Sequence, residues 1–163
     1  RFMLGMTMNV CTYYSLTNAG FIPEQPLLVR KTVVTQEKGI KYTLDVKANY
    51  PSVVFQVDGC IIRSGRKCDK LVLVNTKGES PEEWTQFFVE LKGHDAIHGI
   101  EQLLDTAKNQ IFIDESNKVR KARLVATSIP SNRANPMVEK LKREFKKIKV
   151  DYKSLKPGQR DCL

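Results

Sequence analysis

Between residues 85 and 129 the chain spells strand, helix, strand, and that order restricts the fold more than any other feature. TQFFVELK (85–92) is apolar and rich in aromatic and β-branched residues, and Gly93 ends it. A helix follows. Ile97, Ile100, Leu104, Ala107 and Ile111 recur at helical spacing and make a stripe that seeks burial. His94 or Asp95 can cap it by accepting from the free N–H groups of the first turn. KARLVATSI (121–129) then reads as a strand with Ala122, Leu124 and Ala126 on one side. A helix joining two such strands predicts a crossover between parallel neighbours.

Upstream, LLVRKTVV (27–34) and IKYTLDVKA (40–48) read as strands separated by the turn-like QEKG. Pro51 breaks the run, since proline lacks a backbone donor. SVVFQVDGCII (52–62) is a further strand with Gly59 as a bulge, 63–66 a hairpin turn, KCDKLVLVN (67–75) the returning strand and TKGESPEE (76–83) a polar loop. This meander should pair antiparallel. No helix is legible in 1–26. Downstream, 130–135 reads as a loop, and Pro136 suits the first turn of a second helix. Its apolar face is Met137, Val138, Leu141, Phe145 and Ile148, and 149–155 contains a short last strand. The expected fold is α/β: a mixed central sheet flanked by helices, with an extra N-terminal β-meander.

The 163 residues suit one domain, 1–163. No apolar stretch approaches the roughly 20 residues that cross a bilayer, so no membrane partner is expected. The opening RFMLGMTMNV is too short and interrupted for a signal peptide, which makes a cytoplasmic setting the expectation. Cys11, Cys60, Cys68 and Cys162 form no C-x-x-C pair and have no histidine at zinc-ligand spacing, so reduced thiols are expected. The net charge is +9, and its distribution is uneven: residues 118–163 carry 14 Lys/Arg against 4 Asp/Glu. Such a segment attracts polyanions through counterion release, although a solvated helix face with a basic tail has the same composition.

Chemistry concentrates on two strands. In TQFFVELKG, alternation puts Phe88, Glu90 and Lys92 on one side and Phe87, Val89 and Leu91 on the other. A buried ion pair at the end of an apolar strand is costly unless well satisfied. Asp69, inside KCDKLVLV, would face desolvation as well. Two carboxylates brought together repel, and a divalent cation between them removes that penalty. Hard carboxylate oxygens suit Mg²⁺ or Mn²⁺. The plain alternatives are an edge-strand charge pair for Glu90 and Lys92, a turn residue for Asp69 and a solvent-facing helix position for Gln102.

CDKLVLV, then FFVELKG, then HDAIHGIEQLLDTA resembles the PD-(D/E)XK nuclease superfamily, the restriction-endonuclease-like and junction-resolvase-like enzymes. The fuller pattern VDG–CD–ELKG–QL is similar to that of small uncharacterised bacterial proteins assigned to it. The resemblance covers about residues 52–130 and leaves 131–163 as a basic helix and tail. It implies a Mg²⁺/Mn²⁺-dependent endonuclease that cuts phosphodiester bonds of DNA and leaves a 5′-phosphate. It further implies that Asp69, Glu90 and the Leu91 carbonyl hold the metal, that Lys92 positions and deprotonates the nucleophilic water, and that Gln102 stands near the site. A homodimer is compatible with it.

The sequence departs from that pattern in one respect. Many family members carry a further acid on a helix before the first strand, and none is legible here. Glu37, Asp45 and Asp58 are candidate substitutes, and His94 and His98 are candidate bases or ligands. The main competing reading is a non-catalytic nucleic-acid-binding protein that retains the nuclease fold. Another is a basic protein that binds a protein partner through its last helix.

Overall fold

The computed structural model describes residues 11–129 and 135–163. The expected loop at 130–135 therefore lies, except for Asn135, outside the described residues. In chain order the elements are α1 (Thr12–Asn18), β1 (Gln25–Val29), β2 (Thr32–Glu37), β3 (Ile40–Asp45), β4 (Pro51–Gln56), β5 (Lys70–Lys77), β6 (Glu83–Lys92), α2 (Ala96–Lys108), a short 3-10 turn (Gln110–Phe112), β7 (Asn117–Ala126), α3 (Pro136–Lys147), β8 (Asp151–Leu155) and β9 (Asp161–Cys162).

The architecture is α/β with a mixed sheet of six strands in the order β1-β4-β5-β6-β7-β8. β4, β5 and β6 pair antiparallel, whereas β6, β7 and β8 run parallel, with α2 and α3 making the two crossovers. The crossover and the antiparallel meander before it thus follow the sequence pattern. β6 is central and is buried along its whole interior. Its Trp84 and Phe88 face a core shared with all three helices, and its Phe87, Val89 and Leu91 face a second core on the opposite side. A strand covered on both faces reads as a continuous apolar run, as TQFFVELK does.

The second core is closed by a separate sheet of three strands, β2-β3-β9. Val33, Tyr42 and Leu44 from it pack against Val54, Val72, Val74, Phe87 and Val89. The expected N-terminal meander is corrected here. The run 27–34 is two strands, and they belong to different sheets: β1 pairs with β4, whereas β2 pairs with β3. Between them the Arg30 guanidinium donates to the carbonyls of Pro26 and Ser52 and pins the corner.

Other departures have local causes. α1 escapes a propensity reading because TYYSLTN is made of weak helix formers. Leu16 and Tyr13 hold it on the core, with the Tyr13 and Trp84 rings stacked at 5.8 Å. Instead of continuing as a strand, 57–62 turns. Ile62 N–H donates to the Val57 carbonyl, and Gly59, at φ +78°, supplies a left-handed turn rather than a bulge. The stripe expected to include Ile111 ends early, because the 3-10 turn after Lys108 leaves Ile111 exposed and buries Phe112. Met137 is also exposed, whereas Val138, Leu141 and Phe145 are buried as expected. Among the described residues no helix is long and apolar enough to cross a membrane.

A buried polar cluster ties the two sheets together. Arg123 of β7 is 3% exposed. Its Nε donates to Asp161 of β9 at 2.8 Å, and Tyr42 of β3 donates its hydroxyl to the same carboxylate oxygen at 2.6 Å. Removing one member strands the other charge away from water. Arg123→Ala should therefore destabilise the protein by about 3–5 kcal/mol, whereas replacing the cluster with apolar residues (R123M/D161L/Y42F) should cost far less. Urea denaturation of the two variants checks this; equal losses would show that the cluster acts through packing rather than charge.

Candidate active site

The C-terminal end of β6 opens onto a cavity of about 420 Å³. Asp69, Glu90, Leu91, Lys92 and Gln102 all line it, together with Glu37, Lys38, Ile40, Asp58, Gly93 and His94. The structure thus brings together every residue of the expected centre. Among the substitutes for the missing acid, Glu37 and Asp58 lie at the cavity and Asp45 does not. Asp45 holds Arg160 elsewhere. α1 does precede the first strand, but TYYSLTN carries no acid. Of the histidines, His94 lines the cavity, whereas His98 sits 3.9 Å from Glu101. Asp95 rather than His94 caps α2, accepting from His98 N–H.

Local backbone geometry places each acid. Asp69 lies one residue before β5, where its N–H donates to the Val89 carbonyl and its carboxylate accepts from Leu91 N–H at 2.9 Å. It is therefore clamped to β6 beside Glu90. Among the described residues no cation lies within 4.0 Å of Asp69. Glu90 is 2% exposed, its Oε2 lies 3.6 Å from Lys92 Nζ, and its Oε1 has no hydrogen-bond partner among the described residues. Burial and then the Asp69 charge push Glu90 up to about 8, against the pull of Lys92. Asp69 is raised as well, by burial first, with Leu91 N–H opposing and the charges of Glu37 and Asp58 adding to it.

The helix above the strand is fitted to this end. Gly99 packs so closely on β6 and β7 that an added Cβ would stand 2.8 Å from Leu124 Cδ1 and 3.0 Å from Lys92 Cγ. Gln102 Nε2 donates to the Lys67 carbonyl at 3.0 Å, and Thr106 Oγ1 accepts from Cys68 N–H at 2.8 Å. The two side chains strap the approach to Asp69 onto α2. Gln102 Oε1, however, is buried without a partner among the described residues.

The second sheet supplies the opposite wall, which the sequence pattern did not indicate. Lys38 and Gly39 both have positive φ, and Glu37 pairs with Ile40 across them. That is the two-residue hairpin turn whose twist suits the strands. It delivers Glu37, Lys38 and Ile40 to the cavity. Glu37 is held by buried Lys70 at 3.2 Å, and Glu24 and Gln56 also bind that ammonium. Burial opposes the Lys70 charge, but the hydrogen bonds and charges of Glu24 and Glu37 outweigh it and hold the group above its ordinary value.

The donor set fits a hard divalent cation in part. Two buried carboxylates line one cavity, where the Asp69 charge raises the proton affinity of Glu90, and one oxygen of Glu90 lacks a partner among the described residues. Both features are relieved by a cation. Among the described residues, though, no group of three or more His, Cys, Asp or Glu forms a ready-made metal cage. The remaining ligands would have to be carbonyls, amides or water.

Two outcomes follow. Unfolded glutamate titrates near about 4.3, so between there and about 8 the unfolded chain releases a proton that Glu90 retains in the fold. Stability in chelator should fall as pH rises through that window. Glu90→Gln removes this term. The melting difference between variant and wild type should be near zero at pH 4 and grow to several degrees by pH 8.5; a pH-independent difference would refute the assignment. Gly99→Ala must displace the Leu124 side chain, the Lys92 stem or α2 and should cost about 1–3 kcal/mol by overpacking, read by thermal melting. No family model matches the chain, and neither the curated proteins nor the solved structures contain a match to it.

Proposed function

We propose that the protein is a divalent-cation-dependent nuclease with a restriction-endonuclease-like core, hydrolysing phosphodiester bonds of nucleic acid, with DNA as the substrate that the motif resemblance implies. One observation carries the reading: Glu90 is buried with an unpartnered oxygen, beside Asp69 and Lys92, at the mouth of one cavity. An idle surface has no reason to retain that arrangement, because each of its groups is costly to desolvate.

On this reading Asp69 and Glu90, with the Leu91 carbonyl, hold Mg²⁺ or Mn²⁺. When bound, that cation lowers the pKa of water and offsets charge building on the phosphoryl oxygens. The chain's own groups do the rest. Asp69 is oriented by Leu91 N–H, which leaves its Oδ1 without a hydrogen bond among the described residues. Lys92 Nζ, anchored by Glu90, positions the attacking water and adds positive charge beside the scissile phosphate. Gln102, tied to the Lys67 carbonyl through Nε2, fixes the approach to Asp69 at the cavity's edge.

The competing reading, a nucleic-acid-binding protein without catalysis, draws on the absence of a ready-made metal cage among the described residues. A cation bound only by the folded state raises the melting temperature, so Mn²⁺ should stabilise wild type and leave Asp69→Ala nearly unmoved. Supercoiled plasmid should be nicked in the presence of Mg²⁺ or Mn²⁺. Asp69→Ala and Lys92→Ala should each lower that rate by at least about 100-fold, a typical loss when a charge-stabilising group is removed. Nicking at wild-type rate by both variants would sink the catalytic assignment.

A further inference from the structure

A second concave surface lies away from the cavity. Lys142 and Lys146 of α3, Lys149 just beyond it and Lys153 of β8 border a groove of about 610 Å³. The Phe145 and Tyr152 rings, stacked at 5.1 Å and 14°, form its apolar wall. None of the cavity's lining residues takes part. The two places are also distant. The groove adjoins the start of β8, where Asp151 pairs with Lys121, whereas the cavity adjoins the end of β6, where Lys92 pairs with Ala126. Five residues of rise and two strand spacings separate those points, on the order of 20 Å.

The groove's lysines differ from the other cations of α3. Arg143 is matched by Glu139 at 3.3 Å, and Lys147 by Glu144 at 2.9 Å. Among the described residues none of the four groove lysines has a carboxylate within 4.0 Å. The one acid of the groove, Asp151, is engaged by Arg123 at 3.2 Å. A helix dipole draws cations to the last turn of α3, which accounts for Lys146. It does not account for Lys142, a turn earlier, or for Lys153 on another element. Lys149 occupies the left-handed position after the helix, at φ 58°, where glycine is the favoured residue. The chain keeps a cation there at a conformational cost.

We propose that this groove seats the phosphodiester backbone of a nucleic acid, holding the strand while the cavity acts on it. That the polyanion is a nucleic acid rests on the nuclease reading; that the groove binds a polyanion does not. The lysines contact phosphates and read no bases, so the binding is insensitive to sequence and steeply dependent on salt.

The test uses the full chain, a fluorescently labelled duplex of about 20 base pairs and chelator in place of divalent metal, so that no cutting intervenes. Anisotropy is measured across salt concentrations for wild type, Lys149→Gly and K142Q/K146Q/K149G/K153Q. Each phosphate contact contributes about 0.9 to the slope of log K against log salt. The slope should fall by about 1 in Lys149→Gly and by about 3–4 in the quadruple variant. Lys149→Gly relieves the left-handed residue, so it should melt at or above the wild-type temperature, which separates lost binding from lost folding. An unchanged slope in both variants overturns the proposal. So does groove-dependent capture of phosphatidylserine vesicles or polyglutamate in place of the duplex. Groove-dependent duplex binding by a protein that fails to nick plasmid would leave the groove standing and remove the nuclease reading. Nicking with an unaltered salt slope would do the reverse.

Discussion

The cavity depends on one carboxylate that the fold takes out of water without fully satisfying. Glu90 lies two residues before the end of the central strand, which is covered on both faces, and keeps an oxygen with no partner among the described residues. Such a group is costly, and its neighbours are arranged around that cost. Gly99 lacks the Cβ that would push α2 off the strand. Gln102 and Thr106 strap the chain before Asp69 to the helix. Lys70 holds Glu37 at the far wall. These contacts stabilise the frame around a spot that is itself poorly compensated, so the net cost falls where a bound cation can remove it.

The second sheet gives that frame its depth. Its outer strands are short or exposed, but its hairpin turn closes the cavity opposite α2. What keeps it in place is partly apolar burial and partly the Arg123–Asp161–Tyr42 cluster, which links β7, β9 and β3. The same cluster changes how the net charge of +9 should be understood. Arg123 is consumed inside, Arg120 donates to Gln86 and to the Ala107 carbonyl, and Arg160 is paired with Asp45. Three of the basic residues that make 118–163 stand out therefore do structural work. The outward field comes mainly from lysines.

Much of this was legible in the chain because it rests on period. Alternation in TQFFVELK, the stripe from Ile97 to Ala107 and the proline at 136 each have one physical reading, and the structure follows them. The convergence of Asp69, Glu90 and Lys92 was legible too, since an apolar strand seldom tolerates charges without purpose, whereas Gln102 entered only through the motif resemblance. What was not legible depends on contacts distant in sequence. Nothing in 27–34 says that Arg30 breaks it into strands of two sheets, because its partner is the Ser52 carbonyl. Nothing in TYYSLTN says helix, because Trp84 stabilises it. β9 joins β3 across most of the chain, and a two-residue strand carries no periodic signal. The wall residues Lys38 and Ile40 follow from that same unforeseeable placement.

The two concave surfaces differ in electrostatic character, and on the nuclease reading the contrast bears on how they would cooperate. The cavity is lined by Glu37, Asp58, Asp69 and Glu90 against Lys38 and Lys92. Burial holds the Glu90 proton up to about 8, and Lys70 and Lys67 face Glu37 and Asp58, so the acids do not outweigh the lysines while Glu90 keeps its proton. The groove on α3 and β8 presents Lys142, Lys146, Lys149 and Lys153 against one acid already bound by Arg123. On the proposed reading a polyanion is drawn to the groove, and the cavity receives it once a cation takes the place of the Glu90 proton. On the nuclease reading this separates two dependences that a single site would merge. Holding the strand is governed by salt, through lysines in solvent. Entry to the cavity is governed by the cation, through acids in a low-dielectric pocket. On that reading the chain would hold nucleic acid without cutting it until a cation displaces the Glu90 proton.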